Sequence, residues 1–145
     1  MSSFKVFDIA GSGMAAQTVR LNLVASNLSN AESVSSSINQ TYRSRQPVFA
    51  AKLQEAMGEA GDPLDPNNAA IGVDVRAVVE SQAPLRMEYA PDHPLANEEG
   101  YIMKPNVNTI EELTNMISAS RSYQDNAEVM NTAKQLMLQT LRLGQ

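Results

Sequence analysis

The sequence predicts an α+β chain: two long terminal helices flanking a small β-rich middle. Three observations predict it. Apolar residues recur at heptad spacing over both ends, short alternating runs occupy the middle, and Ser-, Pro- and Gly-containing stretches separate the two patterns. The predicted divisions are an N-terminal helix over 1–32, a Ser-rich linker over 33–41, a β-rich module over 42–107 with a flexible loop at 58–70, and a C-terminal helix over 108–145.

The C-terminal helix carries the strongest signal. Leu113, Met116, Tyr123, Ala127, Met130, Met137 and Leu141 step along one face, with Ser120 and Lys134 at the intervening positions. No proline interrupts the stretch. Asn108 or Thr109 suits the N-cap, Glu111 and Glu112 suit the positive end of the helix dipole, and Arg142 suits the negative end before Gly144. A second apolar line, Val129, Leu136 and Leu143, is turned away from the first. Two readings account for that line: it packs on another part of the same chain, or it packs into an assembly.

The N-terminal helix rests on Phe7, Met14, Leu21 and Leu28, spaced by sevens. Ala10, Val24 and Ala31 fall on the intervening line with Gln17 as its polar member. Gly11 and Gly13 each cost about 1 kcal/mol relative to alanine, so this part is weak unless packed, and a break into two shorter helices is the alternative. Neither a preceding strand nor a following lysine makes them a phosphate loop. Asn27 and Asn30 near its end either bridge helices or merely end one; the second is the simpler reading.

After Ala31 the pattern lapses into Ser33 to Asn39, whose composition competes with helix through local side-chain bonds. Tyr42, Pro47, Val48 and Phe49 then suggest an extended segment, with Pro47 at an edge or strand start. Lys52 to Met57 suits a helical turn or a continuation of the strand, and Gly58 to Ala70 a mobile loop. Val73 to Val79 and Leu85 to Tyr89 alternate, and the short connection Ser81 to Pro84 predicts that they form an antiparallel hairpin. Tyr101 to Met103 adds a brief strand before Pro105. So few strands are marginal alone, which predicts cover from the helices or from neighbouring molecules.

Composition narrows the function. The chain has 145 residues, a formal charge of −5 and no clustered Lys or Arg, which argues against nucleic acid or anionic membrane as the main partner. Aromatics are only 5% and tryptophan is absent, so bulky anchors for a large core are scarce, while eight methionines supply adaptable apolar surface. There is no cysteine, which removes thiol catalysis and disulfides. No apolar run is long enough to span a bilayer, and the first residues do not read as a secretory signal.

Chemistry is equally sparse. His93 stands alone between Asp92 and Pro94, Asp62 and Asp65 lack the rest of a calcium loop, and the pairs Glu98-Glu99 and Glu111-Glu112 read as solvated charge. These observations predict no catalytic, cofactor-binding or metal site. The expected function lies in helix packing, through Phe7, Met14, Leu21, Val24, Asn27, Leu28 and Asn30 at one end and Leu113, Met116, Tyr123, Met130, Leu136, Met137 and Leu143 at the other.

Ala25-Ser26-Asn27-Leu28-Ser29-Asn30-Ala31 resembles the Asn-Leu-Ala/Ser-Asn signature of bacterial flagellar axial proteins. Phe7 to Ser12, His93-Pro94-Leu95-Ala96 with Gly100-Tyr101, Pro105 to Asn108, Asn115 to Tyr123, Asn131 to Lys134 and the Leu143-Gly144-Gln145 ending are similar to rod proteins of the flagellar basal body. The resemblance implies terminal helices that pair as an α-helical coiled coil and assemble helically into the proximal rod, transmitting motor torque. It further implies export by the flagellar type III apparatus without a cleaved signal peptide, a place in the periplasm, and as partners copies of the same chain and the rod proteins FlgB, FlgF and FliE. Before assembly the thinly covered seams predict largely disordered ends. A non-polymerising adaptor of the secretion apparatus is the alternative, and a hydrolase using His93 with Asp92 a remote third.

Overall fold

The computed structural model describes residues 3–51 and 72–143. The expected helical turn at Lys52 to Met57 and the loop at Gly58 to Ala70 lie outside the described residues. Six elements follow in the order α1 (Ser3–Asn30), β1 (Arg45–Ala51), β2 (Val73–Glu80), β3 (Arg86–Tyr89), β4 (Tyr101–Lys104) and α2 (Thr109–Leu143). The class is α+β.

Both helices form where heptad spacing places them. α1 runs unbroken through Gly11 and Gly13, so the glycines do not divide it. α2, at 35 residues, begins at a cap in which Asn108 Oδ1 accepts the Ile110 N–H at 3.1 Å. At about 1.5 Å per residue it is roughly 50 Å long.

The strands pair otherwise than expected. β2 and β3 do not form a hairpin; β1 pairs with β2, and β3 with β4, in two two-stranded sheets. The β3–β4 pair is antiparallel, with Met87 opposite Met103 and Glu88 opposite Ile102. The start of β1 lies beside the end of β2, where the Ser81 N–H donates to Ser44 O at 2.8 Å and Arg45 pairs with Glu80. The reason is the chemistry of the Ser81 to Pro84 connection. It has neither Asn nor Gly for a tight primed turn, and its carbonyls are held from outside: Asn106 Nδ2 donates to Ser81 O and Ala83 O, and Arg43 reaches both. The connection is thereby held as a crossing.

The turn between β3 and β4 is closed by its own polar groups. Asn97 Oδ1 accepts the Glu99 and Tyr101 N–H groups, and His93 Nδ1 accepts the Leu95 N–H at 3.1 Å. Gly100 stands at φ +82°, where a Cβ would lie 3.0 Å from the Tyr89 ring. Ser35 in the Ser-rich stretch exchanges both backbone hydrogen bonds with Met103 of β4, at 3.0 and 2.9 Å. That stretch is thus tied to the sheet through its backbone as well as through its own hydroxyls.

The chain divides into two compact units, Met1–Val19 with Val48–Ala77 and Ala119–Gln145, and Arg20–Pro47 with Val78–Ser118. In the first, Ala10, Ala16 and Ala119 are buried. In the second, Val24, Ala31, Ile102, Met103, Pro105 and Val107 are buried around polar Asn27, Thr41, Ser44 and Glu112. No helix among the described residues is long and apolar enough to cross a membrane.

Candidate functional site

Within the second unit, Asn27 is the point to which helix and strand are tied. It is 1% exposed, and its amide makes five contacts. Oδ1 accepts the Arg45 N–H at 2.9 Å and the Tyr42 hydroxyl at 2.8 Å; Nδ2 faces Arg45 O at 2.9 Å, Glu112 Oε1 at 3.1 Å and Ser44 Oγ at 3.3 Å. By bonding both the N–H and the C=O of Arg45, the side chain does for the first residue of β1 what a neighbouring strand would do. The same amide reaches the first turn of α2 through Glu112. A buried amide with every polar position matched fixes geometry more strongly than an apolar side chain of equal size, because any shift strands a donor or acceptor.

Asn27 therefore does not merely end α1, which corrects the simpler of the two readings. Asn30 fits that reading: its Nδ2 donates back to Ser26 O at 2.8 Å and its carbonyl receives the Ser33 N–H. Glu112 is also not solvated charge. It is buried, and that burial raises its carboxyl above the usual carboxylate range, while the Asn27 and Ser44 hydrogen bonds and Arg20 pull the other way. Adjacent Glu111 stays exposed, since neighbouring positions on a helix point apart. Arg20 donates to Asn115 Oδ1 at 3.0 Å, so α1 and the start of α2 meet in antiparallel sense in this unit.

In the first unit the helices also approach closely. The Met130 methyl carbon lies 3.9 Å from where a Cβ on Gly11 would stand, and the Asn126 amide nitrogen only 2.9 Å from one on Gly13. The helix cost of Gly13 is thus offset by a close approach that alanine would obstruct. Ser12 Oγ, which donates to Ile9 O, receives the N–H of Val73 at the start of β2 at 3.1 Å.

The expected packing residues divide by burial. Val24 and Asn27 are buried; Phe7, Met14, Leu21, Leu28, Asn30, Met116, Met130 and Met137 are half-buried; Leu113, Tyr123, Leu136 and Leu143 are exposed. The tightest line on α1 is Ala10 and Val24, continued by Ala31 just past its end, and on α2 Glu112 and Ala119. Val24 is one of the expected packing residues and Ala10 and Ala31 share its line, whereas Glu112 and Ala119 escape a count of bulky apolar residues because one is polar and the other small. The signal for Ala119 is its place seven residues beyond Glu112, a small residue at heptad spacing that permits close backbone approach. The second apolar line stays open: Val129, Leu136 and Leu143 are 49%, 57% and 87% exposed.

Among the described residues no group of three His, Cys, Asp or Glu could hold a metal. His93 serves the β3–β4 turn through Leu95.

Comparison with known proteins identifies both ends. Residues 7–34 match the family model described as flagella basal body rod protein, and residues 98–143 the one described as flagellar basal body rod FlgEFG protein C-terminal. Over its whole length the chain is 49% identical to the flagellar basal-body rod protein FlgC of Salmonella typhimurium, 48% to that of Escherichia coli O157:H7 and 31% to that of Borreliella burgdorferi, covering 99–100% of each. Asn27 and Asn30 fall inside the first matched segment, and Glu112 inside the second. Identity of this degree from end to end, with family matches on both helices, means that the chain belongs to the FlgC family of flagellar basal-body rod proteins, structural subunits of the rod and not enzymes.

Proposed function

We propose that this chain builds the proximal rod by packing its terminal helices as an antiparallel coiled coil and presenting a second helix face to neighbouring subunits. The carrying observation is the open line Val129, Leu136 and Leu143 on α2, which leaves large aliphatic side chains in water along one face of the helix. Repeated along an axis, a contact between unlike surfaces gives a helical rod, because head-to-tail contacts that do not close continue indefinitely. The β-containing part then lies outside an inner helical layer, and the rod passes torque as compression and shear across the packed helices.

The neighbours in this reading are copies of the chain and the rod proteins FlgB, FlgF and FliE. Delivery is through the flagellar type III apparatus, without a cleaved signal peptide, into the periplasm; a chain with no cysteine enters that oxidising space without forming stray bridges. The ends acquire their order on docking, where burial of apolar surface at roughly 25 cal/mol per Å² outweighs the entropy of ordering two helices.

Leu136→Asp tests the reading. The expected outcome is a protein that keeps its β3–β4 hairpin by NMR but is absent from isolated basal bodies, in non-motile cells. Normal swimming with Leu136→Asp would show that this face is no interface.

A further inference from the structure

Resting on that reading, we propose a specific occupant for the open face of α2: the C-terminal turn of a second copy of this chain, Leu141-Arg142-Leu143, seated head to tail. A groove of about 590 Å³ runs along this face, walled by Val6 of α1 and by Val129, Ala133 and Leu136 of α2, with Asp125 and Glu128 also lining it. It is mostly apolar and carries two acids. Its occupant should therefore be apolar and bear positive charge.

Leu141-Arg142-Leu143 has that character. Leu141 is 69% and Leu143 87% exposed, and Arg142 is the basic residue in the last turn of α2. Two cations beside other exposed apolar residues are engaged: Arg86 beside Met87 donates to the carbonyls of Pro105 and Ala31, and Arg45, close to Val48, pairs with Glu80. Among the described residues no ion pair uses Arg142.

Register follows from spacing along α2. Arg142 and Leu143 lie two heptads beyond Glu128 and Val129, so sliding a parallel copy by about 21 Å sets Arg142 beside Glu128 and Leu143 beside Val129 together. In unshifted parallel pairing, Asp125 and Glu128 would meet their own copies, and like charges repel. An antiparallel pair about Leu136 would also set Leu143 beside Val129, but it places Arg142 opposite Met130, closes as a dimer and leaves nothing to propagate. The staggered contact propagates, as a rod requires.

The absence of cysteine makes the test direct. A full-length chain carrying Val129→Cys and Leu143→Cys is expressed in flagellated cells, and isolated basal bodies are oxidised mildly. The proposal expects a ladder of disulfide-linked copies from the double variant and none from either single one. A dimer that goes no further would instead establish the antiparallel pair, an adduct with a different rod protein would assign the groove to that protein, and basal bodies containing the chain without any bond would empty it; each overturns the proposal and leaves the rod assignment intact. Absence of the unsubstituted chain from basal bodies would instead overturn the rod reading itself. A charge exchange covers failure of the cysteine variants to assemble: Glu128→Arg and Arg142→Glu should each reduce swarming at least tenfold, and the pair together should restore it. Failure of the double exchange to recover overturns the contact.

Discussion

Asn27 shows how one side chain can set the position of three elements. Its amide meets both backbone groups of Arg45, the carboxylate of Glu112 and the Tyr42 hydroxyl, so removing it strands several buried partners at once. Asn27→Ala should destabilise the protein by about 2–4 kcal/mol in urea unfolding, whereas Asn30→Ala, which gives up one local bond to Ser26, should stay within about 0.5 kcal/mol. Equal effects would deny Asn27 its place as the tie. Glu112 adds a pH dependence of known sign. Burial holds its folded-state pKa above the unfolded one, so the folded state binds the proton more tightly and stability falls as pH rises from the ordinary carboxylate value through the raised one. Glu112→Gln, which keeps an acceptor for Asn27, should be at least as stable as the parent at neutral pH, with the advantage shrinking as pH falls through the raised value and gone once it is below the usual carboxylate range. An advantage that grew on acidification would reverse the sign.

Among the elements, the β3–β4 hairpin is the most fully specified. The T-shaped pair of Tyr89 and Tyr101, with ring centroids 5.2 Å apart, and the Lys104 to Glu88 ion pair at 2.6 Å register its two strands. Lys104 also faces Glu32 at 3.8 Å, though both carboxylates are largely solvated and the pairs add little stability. The turn depends more on Gly100, where positive φ coincides with the Tyr89 ring and Pro91. Gly100→Ala should cost about 1–2 kcal/mol in thermal unfolding, and no loss would show that the turn can be built otherwise. The alternation over Val73 to Val79 and Leu85 to Tyr89 identified strands correctly but not their partners. Register and pairing were decided by Asn106 and Arg43, whose side chains hold the intervening carbonyls from distant parts of the sequence.

For the whole molecule, the question is when the helices become ordered. The seams are only partly covered, as half-buried Phe7, Met14, Leu21 and Leu28 show on α1. Limited proteolysis of the free chain should clip the helix ends that lie beyond the Asn27–Glu112 tie and leave a fragment of roughly Arg20 to Ser118, while the same ends should resist in basal bodies. Ends that resist equally in the free chain, with high cooperative helicity by circular dichroism, would mean that assembly orders nothing.

What the sequence by itself determined was local. Heptad spacing and capping residues placed both helices, alternation located the strands, and the absence of cysteine and of clustered ligands pointed away from chemistry, all because these signals depend on neighbours a few residues apart. The tertiary structure alone decided which strands pair and which helix lines lie deepest. Asn27 and Glu112 are 85 positions apart, and a polar residue reads as surface until its partners are brought to it. The line Ala10, Val24, Ala31 outranks the bulkier one for the same reason: how closely two helices approach depends on the opposing backbone, which no single stretch of sequence contains.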